Sequence, residues 1–125
     1  MKITNFLCCE YASFDGTNRV TIVAAGTDLI ALKGIPAIAR LFFFARCVAD
    51  LNDSPGDRMA QLRLIGIDQQ IGTMEVPFKL HPGNPSANII VPIDLTIKAP
   101  GLFRFDLSIE GEAQVASWAL EVRQA

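Results

Sequence analysis

The side chains of this chain that could do chemistry are few: one histidine, His81, and three cysteines, Cys8, Cys9 and Cys47. General acid–base and nucleophilic catalysis both need such a group paired with a second, correctly placed one. No Gly-x-Ser-x-Gly motif surrounds any serine, and no acidic residue stands at a telling spacing from His81. We therefore predict no catalytic residues and no enzymatic activity, with His81 in a proline-rich surface loop.

Metal binding is not indicated either. Zinc sites commonly take two thiolates from a Cys-x₂-Cys motif, and the adjacent Cys8 and Cys9 lack that spacing. A calcium site built from Asn52, Asp53 and Asp57 would need further converging oxygens, and no glutamate follows at a suitable distance. Turn formation is the alternative role of these three residues. We predict no metal site and no cofactor.

Charge and cysteine usage limit the partners and the compartment. The chain has 11 basic and 13 acidic residues, a net charge of −2, and no basic stripe of the kind that nucleic acid or an anionic membrane requires. An odd number of cysteines is a poor disulfide framework, so the thiols are predicted to be free and buried in a reducing compartment. No apolar stretch has the length of a signal peptide or a membrane span. We expect a cytoplasmic protein with no nucleic-acid or membrane partner.

The elements that must position these residues are strands, most clearly after the turn signal Pro100-Gly101. After this turn, apolar residues alternate with polar ones. The apolar residues are Phe103, Phe105, Leu107 and Ile109, and the polar ones are Arg104, Asp106, Ser108 and Glu110. A period of two places the apolar side chains on one sheet face and the polar ones on the other. Burying four large apolar side chains could contribute on the order of 6–12 kcal/mol before entropy is counted.

About eight segments of this kind, separated by turn signals, predict a single all-β domain over residues 1–125. The expected architecture is an immunoglobulin-like, two-sheet antiparallel β-sandwich. Strands over 3–9 and 20–25 are expected to pair as a hairpin around the turn signal Asp15-Gly16. Pro77 cannot donate to a strand ladder, so the strand over 71–80 is expected at a sheet edge.

The most apolar segment, residues 38–48, is predicted to be a strand whose two faces differ. One face is uninterruptedly apolar and should point to the core: Leu41, Phe43, Ala45 and Cys47. The other face places two aromatic rings between two guanidinium groups: Arg40, Phe42, Phe44 and Arg46. Exposed, this second face would mark a protein interface, where arginine and aromatic residues are enriched. The alternative is that residues 26–36 fold across it and bury it within the monomer.

Both ends of the chain carry short patterns that resemble a known family. The first is Thr4-Asn5-Phe6-Leu7-Cys8-Cys9-Glu10, and the second begins at Pro100-Gly101-Leu102-Phe103-Arg104-Phe105 and continues to Glu112. Together they are similar to an uncharacterised bacterial family of small proteins of unknown function. The resemblance implies an immunoglobulin-like β-sandwich. It implies no catalytic or ligand-binding residues.

The function that these observations favour is non-enzymatic: a protein that acts through protein contacts, expected to be a homodimer through Arg40, Phe42, Phe44 and Arg46. A subunit of a virion or of a secretion machine would show the same features, so this alternative stays open. The second hypothesis is a module that binds a small ligand or a carbohydrate through loops at one end of the sandwich. Its candidate residues lie in the segments 52–58 and 81–86: Asn52, Asp53, Asp57, His81 and Asn84.

Overall fold

A computed structural model describes residues 1–15, 19–66 and 70–125, with backbone only at 70 and 71. These residues form ten strands and no helix, which confirms an all-β fold and corrects the expected eight strands. The strands are β1 (Lys2–Cys9), β2 (Tyr11–Asp15), β3 (Arg19–Val23), β4 (Leu29–Leu32), β5 (Ala37–Val48), β6 (Gly56–Ile65), β7 (Gln70–Leu80), β8 (Ser86–Ile97), β9 (Gly101–Ile109) and β10 (Val115–Gln124).

The strands are arranged in two larger sheets and one separate hairpin. One sheet has the order β1-β5-β8, the other the order β4-β10-β9-β6-β7, and β2 pairs with β3 alone. Strand β4 runs parallel to β10, whereas the other paired strands of the described part are antiparallel.

The core lies between the two larger sheets. The rings of Phe43 on β5 and Phe105 on β9 meet with centroids 4.4 Å apart. Around them pack Leu107 and Ile109 of β9, which the alternation predicts to be buried, and Leu120 and Val122 of β10. Because apolar side chains recur at every second position, each sheet contributes one continuous apolar face to this core.

The polar face of β9 departs from expectation at one residue, because Asp106 is buried although its neighbours along that face point to solvent. Arg104 donates two hydrogen bonds to its carboxylate, from Nε and Nη2, each 3.1 Å long. Ser117 Oγ donates a third at 2.6 Å, and Arg63 Nη2 lies 3.9 Å away. A buried carboxylate is stable only with such partners, so this cluster joins β6, β9 and β10.

The expected hairpin between the first two strands is wrong. Strand β1 pairs with β5, and β3 pairs instead with β2. The residues of β2 lie between the two expected strands, where sequence alone predicted a connection. The chain turns at Glu10, whose N–H donates to the Val23 carbonyl. The predicted turn at Asp15-Gly16 extends beyond the described residues.

The two larger sheets separate along strands β7 and β8. Strand β7 is an edge of its sheet, as Pro77 predicts, and β8 is an edge of the other sheet. The chain passes from one to the other through residues 81–85. Along β7 the core-facing side chains become steadily more exposed, from 3% at Leu80 to 42% at Met74. The strands are therefore close at the connecting loop and splay apart away from it.

Candidate functional site

The two arginines of the predicted interface are exposed on the outer face of β5. Arg40 lies over the ring of Phe42, with Cζ 5.8 Å from the centroid, and its Nε is 3.6 Å from Asp94 Oδ1 on β8. Arg46 Nη2 donates a 3.3 Å hydrogen bond to Ser86 Oγ. Both guanidinium groups thus make contacts within the sheet while remaining open to solvent.

The two phenylalanines between them do not form an open patch. Phe44 is only 9% exposed, and Phe42 is half-buried because the ring of Tyr11 stands edge-on to it at 5.3 Å. Tyr11 belongs to the β2–β3 hairpin, so this hairpin covers Phe42. Residues 26–36 do not form the expected cover, because their strand β4 pairs with β10 in the other sheet. Phe44 is consequently a structural residue.

What remains exposed beside the hairpin is a row of apolar side chains, which we call the outer-face strip. It consists of the exposed Val23, Tyr11 and Ile38 and the half-buried Phe42, and the charged Arg40 lies between Phe42 and Ile38. Ile38 is 70% exposed, and it lies four residues from Phe42, about 13 Å along the strand. Sequence reasoning missed Ile38, although its even-numbered position places it on the face of Arg40 and Phe42.

The two predicted ligand loops do meet at one end of the molecule. Residues of 49–55 and of 80–85 line a cleft of about 500 Å³, which we call the loop cleft. Asp53, His81 and Asn84 are among its lining residues, whereas Asn52 and Asp57 are not. Asp57 lies on β6, which begins at Gly56, rather than in the expected loop.

The acidic side chains beside the loop cleft form ion pairs with the Met1 ammonium. The Met1 ammonium donates to Asp50 Oδ2 at 2.7 Å and to Glu112 Oε1 at 3.0 Å, and it lies 3.0 Å from Asp53 Oδ2. These hydrogen bonds, that to Asp50 foremost, raise the pKa of the ammonium from 8.0 to about 11. The pKa of Asp53 is lowered, chiefly because its carboxylate accepts the Asp50 N–H at 2.8 Å. Asp53 is therefore already engaged in holding its own loop.

A second cleft, which we call the β7–β8 groove, lies where those two strands begin to splay. It has a volume of about 380 Å³. Its lining residues are Phe14, Val76, Pro77, Phe78, Lys79, His81, Asn84, Ser86, Ala87, Asn88, Ile89 and Ile90. Sequence reasoning found His81 and Asn84 but not the groove, because Phe14 reaches it from the separate hairpin.

The three thiols are buried and unbridged. Burial raises the pKa of Cys8 to about 12 and that of Cys47 to about 11, and it raises the pKa of Cys9 as well. A thiol that stays protonated at neutral pH is a poor nucleophile and a poor metal ligand. Among the residues that the structure describes, no group of three or more histidine, cysteine or acidic side chains could hold a metal ion.

Comparison with known proteins places the chain in a family without assigning it an activity. Residues 4–123 match a family described as "Family of unknown function (DUF6941)", and the chain belongs to that family. No curated protein matches the chain. Within the described ranges, no helix has the length and apolar character needed to cross a membrane.

Proposed function

We propose that this member of the DUF6941 family acts through protein contacts, and that it associates with a second copy of itself through the outer-face strip. The observation that carries the proposal is the exposure of Ile38, Tyr11 and Val23 in one row beside the half-buried Phe42. Apolar side chains gathered on one face favour association because contact removes them from water. A cytoplasmic location and an immunoglobulin-like topology belong to the same proposal, supported by the unbridged thiols and the two packed sheets.

The charges on this face are self-complementary. Arg40 and Asp94 lie side by side across the β5–β8 pair, and both are well exposed. In a two-fold dimer the same patch meets itself, so the arginine of one copy can face the aspartate of the other. Such pairs set the register of an interface while the apolar residues supply the attraction.

The test is the mass of the protein in solution. We expect the wild type to sediment as a dimer at high micromolar concentration, and Ile38→Asp combined with Val23→Asp to sediment as a folded monomer. Leu102→Asp is the matched control, since Leu102 is an exposed leucine on the other sheet and its replacement should leave the mass unchanged. A monomeric wild type at that concentration contradicts the proposal.

A second candidate function is small-ligand binding in the loop cleft, favoured because residues of both predicted loops line it. Loops held by a rigid sheet scaffold are a common place for such sites. A panel of mono- and disaccharides should then contain a compound that raises the melting temperature of the wild type but not that of Leu51→Ala, since Leu51 lines the loop cleft and not the β7–β8 groove. Uniformly flat responses across the panel contradict this second function.

A further inference from the structure

We propose that the β7–β8 groove binds a small amphipathic anion: an organic molecule with an apolar body and one carboxylate, sulfate or phosphate group. This site goes beyond self-association, because it lies at the splayed sheet edges and shares no residue with the outer-face strip. Its volume of about 380 Å³ falls within the usual range of ligand pockets.

The strand edges around the groove are not suited to pairing with another strand. Each bordering strand carries a proline near its middle, Pro77 on β7 and Pro92 on β8. Proline lacks the N–H that a further strand would need, and edge prolines are a common protection against strand addition. The groove is therefore better fitted to a small molecule than to an extended peptide.

The walls of the groove are apolar. Val76 and Phe78 contribute from β7, Ile90 from β8, and Phe14 from the β2–β3 hairpin. The ring of Phe14 is 55% exposed, so a ligand in the groove would cover an aromatic surface that now faces water. This covering is the apolar part of the expected attraction.

The charged side chains at the groove have one sign. Lys79 lines it beside the His81 imidazole, and none of the described lining residues is an aspartate or glutamate, although acidic residues outnumber basic ones in the chain. Arg46 adds a second cationic group at the margin through its hydrogen bond to the lining residue Ser86. An anionic group is thus attracted to the β7–β8 groove.

The polar end of the groove, formed by His81, Asn84 and Ser86, is held in place by hydrogen bonds before any ligand binds. Asn84 Oδ1 accepts the Ser86 N–H at 3.2 Å, and the Asn84 N–H donates to the His81 carbonyl at 3.2 Å. These bonds hold the turn that carries His81 at the mouth of the groove. A site that is ordered before binding loses less entropy when its ligand arrives.

The first experiment titrates the protein with anilinonaphthalene sulfonate, an aromatic anion whose fluorescence rises on binding. We expect Lys79→Glu and Phe14→Ser each to weaken its affinity by about tenfold or more, which corresponds to about 1.4 kcal/mol. Lys33→Glu and Leu29→Ser are the matched controls outside the groove and should bind like the wild type. Affinities within twofold of the wild type for both groove variants would overturn the proposal.

The second experiment separates the anionic from the apolar contribution and the free ligand from a lipid surface. Uncharged phenylnaphthylamine should bind the wild type more weakly than the sulfonate does. Its affinity for Lys79→Glu should equal its affinity for the wild type. Decanoate below its micellar concentration should displace the sulfonate, and vesicles of phosphatidylglycerol should not co-sediment the protein. Vesicle binding without displacement by decanoate would overturn the small-ligand assignment.

The groove and the proposed dimer can be tested separately. The Ile38→Asp, Val23→Asp variant leaves every groove residue in place, so it should bind the sulfonate with unchanged affinity whatever its mass in solution. If that variant lost the sulfonate while Lys79→Glu retained it, the probe would be reporting the outer-face strip, and the groove proposal would be wrong.

Discussion

The two faces of strand β5 differ in what covers them. On the inner face every residue from Leu41 to Cys47 at alternate positions is buried against the opposite sheet. On the outer face burial falls from Phe44, which is 9% exposed, to Ile38, which is 70% exposed. The difference shows that an alternating pattern determines the side on which a residue lies, whereas its burial depends on what packs there.

The largest expected contrast is between the two faces in the free energy of unfolding. Phe43→Ala removes a ring that packs on Phe105 and should cost about 3–5 kcal/mol, because the surrounding core closes the cavity only partly. Phe42→Ala, half-buried under Tyr11, should cost clearly less, about 1–2 kcal/mol. Urea denaturation measures both, with the exposed Ile38→Ala as control. If both alanine variants lost the same free energy of unfolding, Phe42 would be packed under the hairpin as tightly as Phe43 is packed between the two larger sheets.

The next contrast concerns the hairpin itself and uses Cys9 as a reporter. Cys9 is buried on the outer face, where its Sγ donates to the Phe42 carbonyl at 3.4 Å, whereas Cys8 and Cys47 lie in the core. Ala12 is buried in the hairpin, so Ala12→Asp should lift the hairpin at a cost of about 1–3 kcal/mol. One thiol should then react with a disulfide reagent under native conditions.

The matched control for the hairpin experiment is Cys9→Ser in the same Ala12→Asp background, which should abolish the reaction. Reaction of two or three thiols instead would show that the hairpin and the core unfold together. In that case the two faces of β5 would not be independent.

A smaller effect is expected at the end of the sheet, where the Met1 ammonium meets three carboxylates. The Met1 ammonium has a folded pKa of about 11 against an ordinary 8.0, so its contribution is complete below pH 8 and is lost as the pH rises toward 11. The raised thiol pKa values act in the same direction above pH 9, because the unfolded thiols ionise first. The lowered pKa of Asp53 gives a contribution that is lost as the pH falls below 3.8.

Melting temperature against pH measures this behaviour, and Asp50→Asn isolates the ammonium. The variant should melt lower than the wild type at pH 7, and the difference should shrink between pH 8 and 11. A difference that stays constant over that range would show that Asp50 stabilises the loop without the ammonium.

The smallest expected effect is that of the exposed pair on the outer face. Arg40 and Asp94 are both mostly open to solvent, so a double-mutant cycle of their alanine variants should give a coupling of about 0.2–1 kcal/mol in stability. The same variants should weaken self-association measurably, because the pair would lie within the proposed interface. No change in sedimentation would place the pair outside it.

Sequence reasoning predicted the sidedness of most strands. Phe105, Leu107 and Ile109 of β9 and the inner face of β5 are buried as expected, Phe103 is only partly buried, and Pro77 marks an edge strand. It did not predict that Tyr11–Asp15 is a strand or that β3 pairs with it, because five residues between two stronger apolar runs look like a connection. Sequence reasoning placed Asp53, His81 and Asn84 in loops at one end of the molecule, and the structure shows that they line one cleft. Sequence reasoning did not show that Asp53 is already paired with the Met1 ammonium.

The sequence by itself determined that this protein is all-β and which residues of each long strand face a core, because both follow from local backbone geometry repeated every two residues. Only the tertiary structure decided that Tyr11 of the hairpin covers Phe42, that Phe14 reaches the groove between β7 and β8, and that three carboxylates converge on Met1. Those contacts join residues far apart in the chain, and no local pattern encodes which distant segment will arrive at a given face.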